Sequence, residues 1–174
     1  MSTETPAQHT MVEVFQQHLL AELTGDLDTT MATMTEQPHV NHVPVLTGGV
    51  GRDGVLAFYR DHLVGRFLPP DVKITPVSQT IGTDQIVDEM VISFTHTVAV
   101  DWMLPGVAPT GKRVEVAVVV IVKFEHNKIA HEHIYWDQAT VLVQLGVLDP
   151  AGLPVSGADS ARKVLDPQLP PRPW

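Results

Sequence analysis

Between Asp88 and Trp102 the chain alternates. Met90, Ile92, Phe94, His96, Val98, Val100 and Trp102 share one parity, while Glu89, Ser93, Thr95 and Thr97 hold the other. A period of two fits a long strand with one buried face. The next segment, Lys112 to Glu125, is β-branched and apolar on both faces in its middle, which predicts a central strand covered on both sides. Helices cover one of those faces, so a second copy of the chain is expected on the other, giving a homodimer. His126-Asn127 reads as a hairpin turn and Lys128 to Trp136 as the returning strand. Upstream, weaker alternation from Val72 and a turn at Gly82-Thr83-Asp84 predict a further strand.

Before Val72 the period is close to four. Thr5-Pro6-Ala7-Gln8 is a helix start, with a hydroxyl cap, a proline where no N–H is needed and a glutamine to reach back. Val12, Phe15, Leu19 and Leu23 recur at helical spacing up to Gly25, predicting a helix over about 6–23. Asp26 caps a second, short helix with Leu27, Met31 and Met34 on one face, stopped by Pro38, and a loop is expected from Pro38 to Gly51. A third helix is expected from about Arg52 to Val64, burying Val55, Phe58, Tyr59, His62 and Leu63, before Pro69-Pro70. After the strands, Gln138 to Leu145 reads as a short helix ending at Gly146. Helices first and strands afterwards mean an α+β fold with helices on one face of a curved antiparallel sheet. The expected domain covers residues 1–150, with a Pro-rich tail over 151–174.

Composition narrows the functions open to such a fold. In 174 residues there is no cysteine, which removes thiolate metal sites and cysteine nucleophiles. With 11 basic against 20 acidic residues and no basic block, nucleic acid is an unfavourable partner, because that affinity rests on Lys and Arg releasing counterions. The longest apolar run, Val116 to Val122, is too short to span a bilayer. Met1 to Gln8 is polar and lacks a basic residue, unlike a secretory leader, so a cytoplasmic location is expected. No Gly-x-Ser-x-Gly elbow, phosphate loop or dinucleotide fingerprint occurs.

Three local patterns, in order, resemble a known family. They are Val40-Asn41-His42 before a glycine-rich loop; Gly51-Arg52-Asp53-Gly54-Val55 leading into Phe58-Tyr59; and Lys128-Ile129, Glu132, Trp136-Asp137 followed by Gln144-Leu145-Gly146. Together they resemble, over about residues 8–148, the SnoaL-like polyketide cyclase branch of the nuclear transport factor 2-like superfamily. The resemblance implies a cone-shaped α+β barrel, often dimeric. It implies an apolar pocket in which side chains perform acid/base chemistry on a small carbonyl compound without cofactor or metal. It also implies that Asp137 is the acid/base, assisted by a histidine. The family's histidine strand corresponds to Lys112–Glu125, which has none, so His96, His131, His133 or His42 take that place.

Read from the residues, Asp137 shares a strand parity with His131, His133 and Tyr135, while Glu132 shares the other with Ala130, Ile134 and Trp136. Whichever face lines the pocket supplies the acid/base carboxylate, Asp137 or Glu132, and a bulge would exchange them. His96 interrupts an apolar row and needs a polar partner. The candidate catalytic residues are therefore Asp137, His96, His133 and Glu132, with His42, Tyr59, Trp102 and Trp136 shaping a substrate pocket. Glu115 is expected to pair with Arg113 or Lys112. The expected function is a small cofactor-independent cyclase, isomerase or lactone-type hydrolase acting on an apolar carbonyl compound. The alternatives are a non-catalytic dimeric domain that binds a small ligand or a protein, and a metal enzyme using His131, His133 and Asp137.

Overall fold

A computed structural model describes residues 5–63 and 68–171. Helix α1 (Pro6–Thr24) begins with the expected capping box: Gln8 N donates to Thr5 Oγ1 (3.3 Å) and Thr5 N to Gln8 Oε1 (2.8 Å). Its end is closed by Gly25 at φ 76°, and Asp26 caps α2 (Leu27–Ala32). The inward row of α1 differs from the expected one. Met11, Phe15, His18, Ala21 and Glu22 are buried, while Leu23 is exposed. Rotating the helix this way places an imidazole and a carboxyl against the core.

Residues expected to form a loop after Pro38 form a strand pair instead. Strand β1 (Met34–His42) runs through Pro38, and β2 (Thr47–Val50) returns antiparallel to it. The register of β1 shifts between Met34 and His39. Pro38 lies inside that irregular stretch, where its missing N–H costs the ladder nothing. Helix α3 (Gly51–Phe58) follows and widens into a π-helical turn over Tyr59–Leu63; the expected end at Val64 lies outside the described residues. Val55, Phe58, Tyr59 and Leu63 are buried as expected, whereas His62 is exposed. Gly49 is what lets β2 and α3 meet, since a Cβ there would stand 2.4 Å from the Gly54 carbonyl.

The remaining strands are β3 (Lys73–Ile81), β4 (Gln85–Thr95), β5 (Arg113–Glu125) and β6 (Lys128–Trp136). The sheet order is β2-β1-β6-β5-β4-β3, antiparallel throughout except for the parallel β1–β6 pair, which the sequence reading did not foresee. β4 stops at Thr95, short of the expected Trp102. The backbone turns after His96, Val98 becomes exposed, and Val100, Trp102, Met103 and Leu104 are buried by a compact turn. The alternation beyond Thr95 therefore reflects side chains buried from a turn. On β5 the even residues Val114 to Phe124 face the helices and the odd residues face outward.

The closing helix α4 (Gln138–Leu145) is tied to β5 by Gln144, whose amide exchanges hydrogen bonds with the Glu115 backbone (2.8 and 2.9 Å). Within the segment read as a tail, Asp159–Leu165 forms α5, which seats Ala161 against the sheet. Its Arg162 pairs with Glu115 (2.9 Å), taking the place expected for Arg113 or Lys112; Arg113 binds Asp71 (3.1 Å). The tail's last three residues lie outside the described ones. Among the described residues no helix is long and apolar enough to cross a membrane.

Replacing Gly49 with alanine is expected to destabilise the protein by about 2 kcal/mol or more, because two backbones must separate to admit the methyl group. Urea unfolding at neutral pH measures this.

Candidate active site

The concave face of the sheet and the helices packed on it enclose a cavity of about 910 Å³, its open mouth included. Its walls are apolar, with Phe15 and Leu19 from α1, Met90 and Ile92 from β4, and Val118 and Val120 from β5. Five polar side chains break this lining: Glu22, His42, Tyr59, Asp88 and Glu132. A hydrophobic chamber with a few converging polar groups is the ordinary form of a small-molecule site.

Glu132 owes its inward position to a bulge. Lys123 pairs with His131 and Phe124 with Ile129, so Ala130 is the extra residue in β6. Downstream of it, Glu132, Ile134 and Trp136 are buried, and His131, His133 and Tyr135 lie on the outer face. The choice left open by the sequence is settled for orientation: Glu132 enters the cavity and Asp137 does not. Asp137 is exposed and caps α4, its carboxylate accepting from Thr140 N (3.2 Å) and Thr140 Oγ1 (2.7 Å).

Behind the cavity wall a buried network gathers around His18. Its Nε2 lies 3.2 Å from Glu22 Oε1, 3.5 Å from Glu132 Oε2 and 3.3 Å from Tyr59 Oη. The Tyr59 hydroxyl donates to Glu132 Oε2 (3.0 Å). On the other side of the ring, Thr33 Oγ1 sits 2.7 Å from Nδ1 and donates its own proton to Thr30 O (2.6 Å). Thr33 therefore accepts from His18, so Nδ1 carries a proton and Nε2 faces the carboxylates. That arrangement suits the doubly protonated imidazolium.

The charges follow from this geometry. Burial pulls the His18 pKa down, but Glu132 and Glu22 outweigh it and hold it well above the usual histidine value. Glu132 is pushed up by burial and brought below the ordinary carboxyl value by His18 and by the Tyr59 hydroxyl. Glu22 is raised, burial and the Glu132 charge prevailing over His18. Burial and both carboxylates keep the Tyr59 phenol protonated. Two similar carboxyls are thus split, one fixed as the anion of an ion pair and one moved toward neutrality. Such splitting is how one site holds both a charge and an exchangeable proton.

His42 lies across the cavity, its ring tilted against Phe58 and Trp102 and edge-on to Trp136, with Nδ1 donating to Thr47 O (3.2 Å). Burial lowers its pKa to about 4, so it is neutral under ordinary conditions. Asp88 is half-buried at the cavity wall and burial raises its carboxyl.

Of the eight residues singled out from sequence, Glu132, Tyr59, His42 and Trp102 share the cavity. Trp136 stands behind Trp102 (5.6 Å between rings), its Nε1 donating to Gln138 Oε1 (2.6 Å). His96 is fully buried but outside the cavity lining; Thr110 N donates to its Nδ1 (3.3 Å), and Nε2 has no partner among the described residues. His133 lies on the outer face beside His39 and His131. Sequence reading missed His18, Glu22 and Asp88. A signal for the first two existed: Met11, Phe15, His18 and Glu22 follow one another at helical spacings of four, three and four. His18, Glu22 and Glu132 also place one nitrogen and two oxygens within 4.8 Å of one another, a donor set able to hold a cation. Here those donors satisfy one another.

The fold and this cavity agree with the sequence relationships. The chain belongs to the SnoaL-like polyketide cyclase family, whose model matches residues 10–145. A solved structure from Jannaschia sp., described as a candidate SnoaL-like polyketide cyclase, shares 16% identity at TM-score 0.66, covering 86% of this chain and 100% of the other. IdmH of Streptomyces antibioticus, described as a candidate polyketide cyclase, shares 21% at TM-score 0.59, covering 78% and 98%. SalBIII, an epoxide hydrolase/cyclase-like enzyme of pyran ring formation in salinomycin, shares 16% at TM-score 0.55, covering 74% and 92%. At such identities the likeness is one of fold. No protein of curated function matches the sequence.

Two predictions follow from the placements above. Asp137→Ala is expected to cost about 1 kcal/mol of stability, the usual loss for a helix cap, and to leave ligand binding in the cavity unchanged. For His42 the sign is fixed by its lowered pKa: between its folded value near 4 and the ordinary 6.5 the unfolded chain binds the extra proton, so stability rises with pH. The stability difference between the wild type and His42→Gln should shift by about 3 kcal/mol between pH 4 and 6.5, measured by urea unfolding across that range. Parallel pH profiles for the two proteins would contradict it.

Proposed function

We propose that this chain is a cofactor-independent acid/base enzyme that moves a proton on an apolar, carbonyl-containing small molecule, as a cyclase, isomerase or lactone-type hydrolase. The observation that carries the reading is the pair Glu22 and Glu132, both buried, both lining an apolar cavity and both beside one imidazole, with Glu132 lowered and Glu22 raised from the ordinary carboxyl value. Glu22, which holds its proton more tightly than an ordinary glutamate, is the group matched to take and return a proton. Glu132 stays ionised against His18 and, through Tyr59, keeps a phenol aimed at the site. Paired with the His18 imidazolium, this fixed charge raises the hold of the neighbouring Glu22 on its proton. His42 and Trp102 shape the opposite wall, where a neutral imidazole and an aromatic face suit an uncharged ligand.

In this reading the proton moves from a carbon or hydroxyl adjacent to the carbonyl onto the Glu22 carboxylate. The same carboxyl then returns it to the alkoxide oxygen formed when a ring closes on a carbonyl carbon, or to the carbon at the far end of a shifted double bond; in lactone hydrolysis the proton comes from the attacking water and goes to the departing ring oxygen. Each transfer conserves charge within the cavity, and no redox partner is needed. Family membership and the fold shared with cyclase structures support the reaction class, while the cavity's lining supports the apolar substrate.

The test is solvent deuterium exchange, followed by NMR, on a panel of cyclic ketones, lactones and polyketide-like diketones. Wild-type protein is expected to accelerate exchange on at least one compound, and Glu22→Gln to slow it by about 10²-fold or more while remaining folded. Unchanged exchange in Glu22→Gln would overturn the assignment. Binding of these compounds with no exchange and no turnover would favour a ligand-binding domain instead.

A further inference from the structure

The outer face of the sheet carries a second cluster that the cavity chemistry does not use. The parallel pairing of β1 with β6 sets His39 opposite His131 and Asn41 opposite His133. Since Val40 and Glu132 point into the cavity, His39, His131 and His133 project from the other side of the same two strands. Their rings lie in contact: His131 stacks on His133 with centroids 4.3 Å apart and on His39 at 4.6 Å. His39 Nε2 stands 3.0 Å from His133 Nε2.

We propose that His39, His131 and His133 form a binding site for a divalent late transition metal ion, of which Zn²⁺ is the representative. Three observations support it. One ring nitrogen from each residue lies within 4.8 Å of the other two. Two imidazole nitrogens bound tetrahedrally at zinc's usual bond length stand roughly 3.3 Å apart, so the observed 3.0 Å between Nε2 atoms needs only a small splay to admit the ion. The second observation is electrostatic. Burial and then His133 lower the His39 pKa, and burial, His133, His39 and Lys123 lower that of His131, with Glu125 acting against them. The neutral ring is the form that ligates. The third is access, because all three residues are only partly buried, which leaves solvent a path in and a water the fourth position.

The donor chemistry selects the ion. Imidazole nitrogens suit zinc, nickel or copper, whereas calcium and magnesium take oxygen donors. The third ligand is also not the one the sequence suggested. Asp137 is occupied as the cap of α4, and His39, brought alongside by the parallel strand pair, takes its place. Because Glu132 lies between His131 and His133 on β6, the ion and the cavity occupy opposite faces of one strand and are separate sites.

The experiment is calorimetric titration of Zn²⁺ into the full chain, free of any affinity tag and stripped with chelator. One ion per chain is expected, with affinity reduced at least tenfold by His39→Ala or His133→Ala and unchanged by His9→Ala and His126→Ala. X-ray absorption on the zinc-loaded protein should show three imidazole nitrogens near 2.0–2.1 Å. Absence of binding, binding that survives the combined His39→Ala and His133→Ala change, or zinc lost in Glu132→Gln instead would each overturn the proposal. Because the three residues are partly exposed, the alanine variants are expected to keep the wild-type circular dichroism spectrum.

Discussion

An imidazole buried between two carboxylates and a phenol, with a threonine fixing its far nitrogen, is the contact on which the rest of this molecule depends. Its members come from distant stretches: His18 and Glu22 from α1, Thr33 after α2, Tyr59 at the end of α3, and Glu132 from β6. Each charge would be costly to bury alone. Together they offset one another, so the network holds only if both helical segments sit correctly on the sheet. It therefore joins fold and site in a single constraint. The apolar cavity beside it keeps the local dielectric low, which strengthens the attraction and separates the two carboxyls in their hold on a proton.

Several local devices serve this placement. The capping box and the reach of Gln8 to Ile81 O and Gly82 O (3.1 and 3.3 Å) fix where α1 starts and how it meets the β3–β4 turn. The close approach at Gly49 brings α3 against β2, and the π-helical turn that follows presents Tyr59 to Glu132. The Ala130 bulge turns Glu132 inward. The caps among them are small terms, each contributing about a kilocalorie per mole. The joint effect of all these devices is positional: they hold Nε2 of His18 within reach of three oxygens.

Much of the fold was legible in the sequence because its signals are local. The start of α1, the β5–β6 hairpin at His126-Asn127, β6 and α4 follow from capping, positive-φ turn residues and period-two patterning, and the structure places them within a residue or two of expectation. The failures share a cause: each depended on a partner far along the chain. β1 was hidden because Pro38 argues against a strand unless a bulge accommodates it. The parallel β1–β6 pair has no local signature. His18 and Glu22 were passed over because a polar pair in a helix reads as a wet face until Tyr59 and Glu132 are known to meet it. Asp137 shows the converse. Its position in the family pattern suggested chemistry, while the next three residues already spelled a helix cap ending at Thr140.

The central claim is that burial and the charges gathered around one imidazole move two buried carboxyls apart, lowering Glu132 and raising Glu22. Carbon-13 NMR of labelled glutamate, together with nitrogen-15 NMR of His18, followed across pH 3 to 10, tests it most directly. The account predicts that Glu132 titrates below the ordinary glutamate value, that Glu22 titrates above it, and that His18 remains an imidazolium through neutral pH. Two glutamates titrating together near the ordinary carboxyl value, with His18 neutral at pH 7, would contradict it.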